Sequence, residues 1–137
     1  MISIKNQQEI WALPTGTVVG IKHGWYDHVA LIGDRFINGE RSVLAFSAQA
    51  GGFVEQTYSA FAGESNVTIS GYLGSLPPET VMQRARLKHG QAYSWINFNC
   101  EHFVRYAHGV PIESPQLRQW AFLGGVLGVF ALASTRT

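Results

Sequence analysis

The sequence predicts an α+β domain, an antiparallel β-sheet of about five strands packed with helices. Two observations carry that reading. Residues 17–73 hold short β-branched and apolar runs punctuated by Gly and Asn-Gly, whereas beyond Pro77-Pro78 the apolar spacing turns helical. Strands first and helices after them is the order of an α+β fold.

Thr17–His23 reads as the first strand, between Pro14 and Gly24, and His28–Gly33 as the second, joined by a hairpin loop at Gly24-Trp25-Tyr26-Asp27. Arg35–Asn38 and Ser42–Ser47 read as the third and fourth, turned at Asn38-Gly39. Asn66–Leu73 makes the fifth. Glu79–His89 is helical: an acidic residue opens it, Arg84, Arg86 and Lys88 close it, and Gly90 stops it. Asn99 is a good N-cap for a second helix, Cys100–His108, which Gly109 and Pro111 end.

Composition sets the outer bounds. The 137 residues are 46% hydrophobic and only 14% charged, which excludes a disordered chain. A net charge of +1 argues against a nucleic-acid module. Part of the low charge lies in Trp120–Ala133, fourteen residues without a polar side chain. A span needs about 20 apolar residues, so this tail reads as a membrane-associated segment, a docked core helix, or a disordered or oligomer-contact segment. The N-terminus has charges and amides where a secretion signal needs an apolar run, so a cytoplasmic location is expected, with the tail able to reach a membrane.

A single cysteine, Cys100, forbids an internal disulfide. At the first turn of a helix it meets unpaired backbone N–H groups and the positive end of the macrodipole, both of which favour the thiolate. His102, two residues on, points about 200° away around the helix, so it is expected to order the helix start rather than act as base. The base should come from another element, and His28, opening an apolar strand, is the candidate. For His89 and His108 at helix C-termini, charge matching to the dipole is sufficient explanation. One cysteine without metal-ligand spacing argues against a metal site, and no cofactor is implied.

Two strings carry a resemblance. Tyr26-Asp27-His28-Val29-Ala30-Leu31-Ile32-Gly33-Asp34 resembles the histidine strand of the lecithin:retinol acyltransferase-like family, and Asn99-Cys100-Glu101-His102-Phe103-Val104 resembles its nucleophile motif. Val43–Ser47 with Gly51–Glu55, Tyr93 and Ser114-Pro115-Gln116 extend the likeness over roughly residues 14–118. The resemblance implies a circularly permuted papain-like fold with Cys100 as nucleophile and His28 as general base. Asn99, Glu101 and His102 support the motif. It implies a catalytic domain over residues 1–118 and a hydrophobic tail over 119–137. The expected activity is thiol-dependent acyl hydrolysis or transfer through a Cys100 thioester, on lipid or other ester or amide acyl groups. The family also has a second histidine that orients the first. Here Ala45 occupies the equivalent place, leaving Ser47 or Asp27 as the orienting group. That absence keeps a catalytically inactive, membrane-tethered binding module as a rival, beside a cell-wall-type amidase or peptidase.

Overall fold

The computed structural model describes residues 2–4, 10–24 and 26–112. Trp120–Ala133 and the rest of the C-terminal tail lie outside the described residues, as do Ser114-Pro115-Gln116 and Trp25. Among the described residues no helix is long and apolar enough to cross a membrane.

Among the described residues six strands form one antiparallel sheet: β1 (Ile2–Ile4), β2 (Val18–His23), β3 (Tyr26–Ile37), β4 (Glu40–Ser47), β5 (Gly52–Thr57) and β6 (Val67–Gly71). Their spatial order is β1-β6-β2-β3-β4-β5. Helices α1 (Tyr58–Ala62), α2 (Pro78–Arg86) and α3 (Cys100–His108) accompany them. The expected α+β architecture is present, with one strand more than anticipated.

The second and third expected strands are one. β3 runs twelve residues, and its pairing with β4 shifts register between Ile32 and Phe36. At that irregularity a Cβ on Gly33 would collide with the Ser42 hydroxyl, which accepts the Arg35 backbone N–H at 3.1 Å. Gly33 therefore marks a bulge within a strand, not its end. The Asn38-Gly39 turn forms as expected, with φ of 51° and 79°, and the ladder resumes at Ile37↔Glu40. Tyr26 and Asp27 belong to β3 rather than to a loop, since β2 and β3 pair as far as His23↔Tyr26.

The sheet is covered on both faces. Val19, Ile21, Ala30, Ile32, Val43 and Ala45 pack with Tyr58, Phe61 and Ala62 of α1 on one side. Val18, Leu31, Leu44 and Phe46 pack on the other with Val81, Met82 and Ala85 of α2 and Phe103, Val104 and Ala107 of α3. Central strands buried on both faces read as unbroken apolar runs, as Val43-Leu44-Ala45-Phe46 does. The double cover is a second source of the low charge.

α2 starts with Pro78 and ends at Arg86, three residues short of the expected His89; Leu87 is its C-cap and turns lead on to Gly90. Arg86 binds Asp34 and, at 3.0 Å, Glu55, pinning α2 to the sheet. This guanidinium holds the Asp34 carboxyl below its ordinary pKa. Arg84 donates to the Tyr106 carbonyl at 2.8 Å and ties α2 to α3.

His108 corrects an expectation. It is 1% exposed, Nε2 lies 2.8 Å from the Gly16 carbonyl, and burial lowers its pKa. A neutral ring donating to a carbonyl fastens the end of α3 to the residues before β2; a surface cation answering the helix dipole would be neither buried nor shifted this way.

Candidate active site

The start of α3 is built by Asn99. Its Oδ1 accepts the backbone N–H groups of Glu101 and His102 at 3.0 and 3.2 Å, while its own N–H donates to His102 Nδ1 at 3.0 Å. That reciprocal pair is a capping box with histidine in the usual Glu/Gln role. It occupies His102, whose pKa is lowered by burial and by Arg105, as a neutral acceptor. Asn99 Nδ2 also donates to the Trp95 carbonyl at 2.9 Å, joining the helix start to the preceding loop.

Cys100 follows, 1% exposed, and docks on the edge of β3. Ile32 exchanges hydrogen bonds with Thr17 and Gly16, on the side of β2, so even-numbered residues of this part of β3 turn their peptide groups that way. Asp27 and Val29 turn theirs towards β4, whose ladder begins only at Ala30↔Ala45. Cys100 takes the place that β4 leaves. Its Sγ donates to the Asp27 carbonyl at 3.7 Å, and the Val29 N–H is directed at the sulfur. The thiol thus bridges the two residues that flank His28.

Helix-start position alone favours a thiolate, but here burial wins and pushes the thiol up to about 11. The Val29, Cys100 and Glu101 N–H groups pull the other way, and the Glu101 charge adds to the rise. The resting sulfur is a thiol. Alkylation of Cys100 by iodoacetamide, without substrate, should accelerate about tenfold per pH unit from pH 6 to 9 without a plateau. A plateau in that interval would reveal a preformed thiolate.

His28 lines a cavity of about 310 Å³ with Gly24, Tyr26, Ser47, Ala48, Gln49 and Trp95. Its ring lies 5.5 Å from that of Phe61, so α1 backs it. Ser47 shares this cavity, and its Oγ accepts the Gln49 and Ala50 N–H groups at 3.1 and 3.3 Å. Asp27 lines a different cavity, with Gly20, Lys22, Val29 and Thr68, and its carboxylate pairs with Lys22 at 3.3 Å. Ala45 is fully buried opposite Ala30, inside the apolar core.

Two phenols to which the sequence assigns no role stand beside the thiol. The Tyr93 hydroxyl accepts the Cys100 backbone N–H, and burial with the neighbouring thiol raises its pKa. Tyr26 is raised by the same two causes. Their rings meet Trp95 edge-on at 5.3 and 4.9 Å, forming one wall of the site. The signal for Tyr93 was only its place seven residues ahead of Cys100; the Tyr93 N–H bond to the Gly51 carbonyl, which seats that loop, is long-range.

Fold and site together define a class: an α+β protein whose only cysteine opens a helix laid against an antiparallel sheet, beside a strand that carries a histidine. The sequence profile of the family described as Lecithin retinol acyltransferase matches residues 14–109, and the chain belongs to that family. The family's activity is, broadly, acyl transfer or thiol-dependent hydrolysis, and its members act on lipid acyl substrates. No individual curated protein gives a significant match.

Proposed function

We propose that the chain is a cysteine-dependent acyl hydrolase or acyltransferase that works on lipid acyl groups through a Cys100 thioester. The observation that carries this reading is the seat of the Cys100 thiol, held between the Asp27 carbonyl and the Val29 N–H on either side of His28. In the reaction, His28 takes the Sγ proton as sulfur attacks the ester carbonyl, forming the S–C bond and an oxyanion. Tyr93, whose oxygen accepts the Cys100 amide N–H and whose proton is left to donate, is the group we assign to that oxyanion. Collapse breaks the C–O bond, and the departing alkoxide takes the proton from His28. Water or an acceptor hydroxyl, deprotonated by His28, then attacks the thioester and restores the thiol.

Ser47 is the group we assign to steer the His28 ring, because it shares the histidine's cavity while Asp27 does not. Two N–H groups already use the oxygen's lone pairs, so the hydroxyl proton is what Ser47 has left to offer. A hydroxyl that donates to one ring nitrogen favours the tautomer whose other nitrogen already carries the proton, so only the minor tautomer can act as base and turnover slower than that of a histidine-steered site is the consequence.

In this proposal residues 1–118 are the catalytic unit and 119–137 an accessory apolar tail. The full chain should release acyl groups from lipid esters in a panel that also contains peptide amides. Cleavage of the amides alone would replace this reading with the peptidase one. A second reading, a tethered binding module without turnover, is favoured by one observation: Ala45 leaves no polar group in the place of the second histidine. No turnover of any member of the panel is its outcome.

A further inference from the structure

The loop ahead of Cys100 ends in an apolar point. Ser94 and Phe98 exchange backbone hydrogen bonds of 2.9 and 3.0 Å, and the Asn97 N–H donates to Ser94 Oγ at 3.0 Å. The residues between them form a tight turn that carries Trp95 and Ile96, 41% and 51% exposed. The turn is fixed from below. Phe98 is buried edge-on to Phe46, and Asn99 Nδ2 holds the Trp95 carbonyl.

Trp95 faces two ways: part of it walls the His28 cavity beside Tyr26, and part meets solvent. An exposed indole beside an exposed isoleucine is costly in water and suits the boundary between headgroups and acyl chains.

We infer that the Trp95–Ile96 turn inserts into the surface of a lipid bilayer and sets the mouth of the cavity against the membrane from which the acyl donor is drawn. This rests on the lipid acyl reading proposed above. The occupant is a bilayer rather than a protein because the insertion point and the substrate entrance share one residue, Trp95. A lipid can then pass from the bilayer to the cavity without crossing water.

The test uses the full chain and phosphatidylcholine vesicles. Ile96→Asp should weaken vesicle partitioning by about tenfold, since a buried isoleucine side chain is worth at least that factor. It should leave hydrolysis of a short water-soluble ester within about twofold, because Ile96 does not line the cavity. Phe36→Ser is the control: Phe36 is 58% exposed but eight residues along β3 from His28, about 26 Å at ~3.3 Å per residue. It should leave partitioning unchanged. Brominated acyl chains should quench wild-type indole fluorescence more than that of Trp95→Phe. Partitioning unchanged in Ile96→Asp, or lost in Phe36→Ser instead, overturns the inference and assigns membrane contact to the tail or another face. Loss of soluble-ester hydrolysis in the wild type would sink the catalytic reading instead, so the two failures are distinguishable.

Discussion

Cys100→Ala should reduce ester turnover to background, and His28→Ala should lower it by about 10²–10⁴-fold, the usual contribution of a positioned base. The size of the His28 effect follows from the state of the thiol. Pushed up to about 11 by burial, the sulfur is protonated at neutral pH and donates to the Asp27 carbonyl. It cannot attack until a base removes that proton, and helix-start N–H groups alone do not ionise it. Imidazole added to His28→Ala should recover part of the rate, which a purely structural role would not allow. Turnover of His28→Ala within twofold of wild type would remove the histidine from the mechanism. His102→Gln, which keeps a side-chain acceptor for the Asn99 N–H, separates helix capping from base chemistry and should retain most of the activity.

The largest stability effect is expected at Arg41, a residue 7% exposed. Its Nε donates to the Gly33 carbonyl at 3.1 Å, and Nη1 reaches the carbonyls of Ile10, Trp11 and Leu13 at 3.2, 3.1 and 2.9 Å. Nη2 donates to Thr15 Oγ1 at 3.1 Å. One guanidinium thereby closes the segment ahead of β2 onto the bulge of β3. Burial lowers its pKa and the Asp34 charge offsets this in part, but it remains a cation at any ordinary pH. Arg41→Leu removes the donors and strands these carbonyls, at a cost of about 3–5 kcal/mol. Against a total of roughly 5–15 kcal/mol for a domain, that is a drop in Tm on the order of 10–20 °C by calorimetry. Arg41→Lys should recover little, because an ammonium cannot span five acceptors in a fork. A shift below about 2 °C for Arg41→Leu would mean that the segment is held by other contacts.

The parts of this protein that were legible from sequence are those governed by neighbours along the chain. The α3 boundaries, Cys100 to His108, follow from an Asn cap and a Gly stop, and Gly109 takes the left-handed conformation such a stop requires. The Asn38-Gly39 turn is equally local. What escaped depends on distant partners. β5 is an edge strand whose Glu55 and Gln56 hide its character, and its pairing from Ser42↔Thr57 to Ser47↔Gly52 identifies it. Gly33 looked like a strand end because the Ser42 hydroxyl that fills its missing side chain comes from the next strand. Nothing beside Arg41 in the sequence marks it as buried, since its acceptors lie 8 to 31 residues away. His108 answers a carbonyl 92 residues distant.

The candidate site divides along the same line. The capping role of Asn99 and His102 could be argued from spacing, and the structure gives its hydrogen bonds. The raised thiol pKa could not, because desolvation depends on how completely β3 and the tyrosine wall enclose Cys100. Nor could the separation of Asp27 from Ser47. Neighbours along a strand point to opposite faces, and which face holds the histidine's cavity is a property of the assembled sheet.

The central claim is a covalent acyl-enzyme on Cys100. Intact-mass spectrometry of the full chain, quenched during turnover of an activated long-chain ester, tests it directly. The expected spectrum shows one added acyl group, mapped to Cys100 by fragmentation and absent from Cys100→Ala. No adduct on the wild type while ester is being consumed, or an equal adduct on Cys100→Ala, would contradict the thioester mechanism.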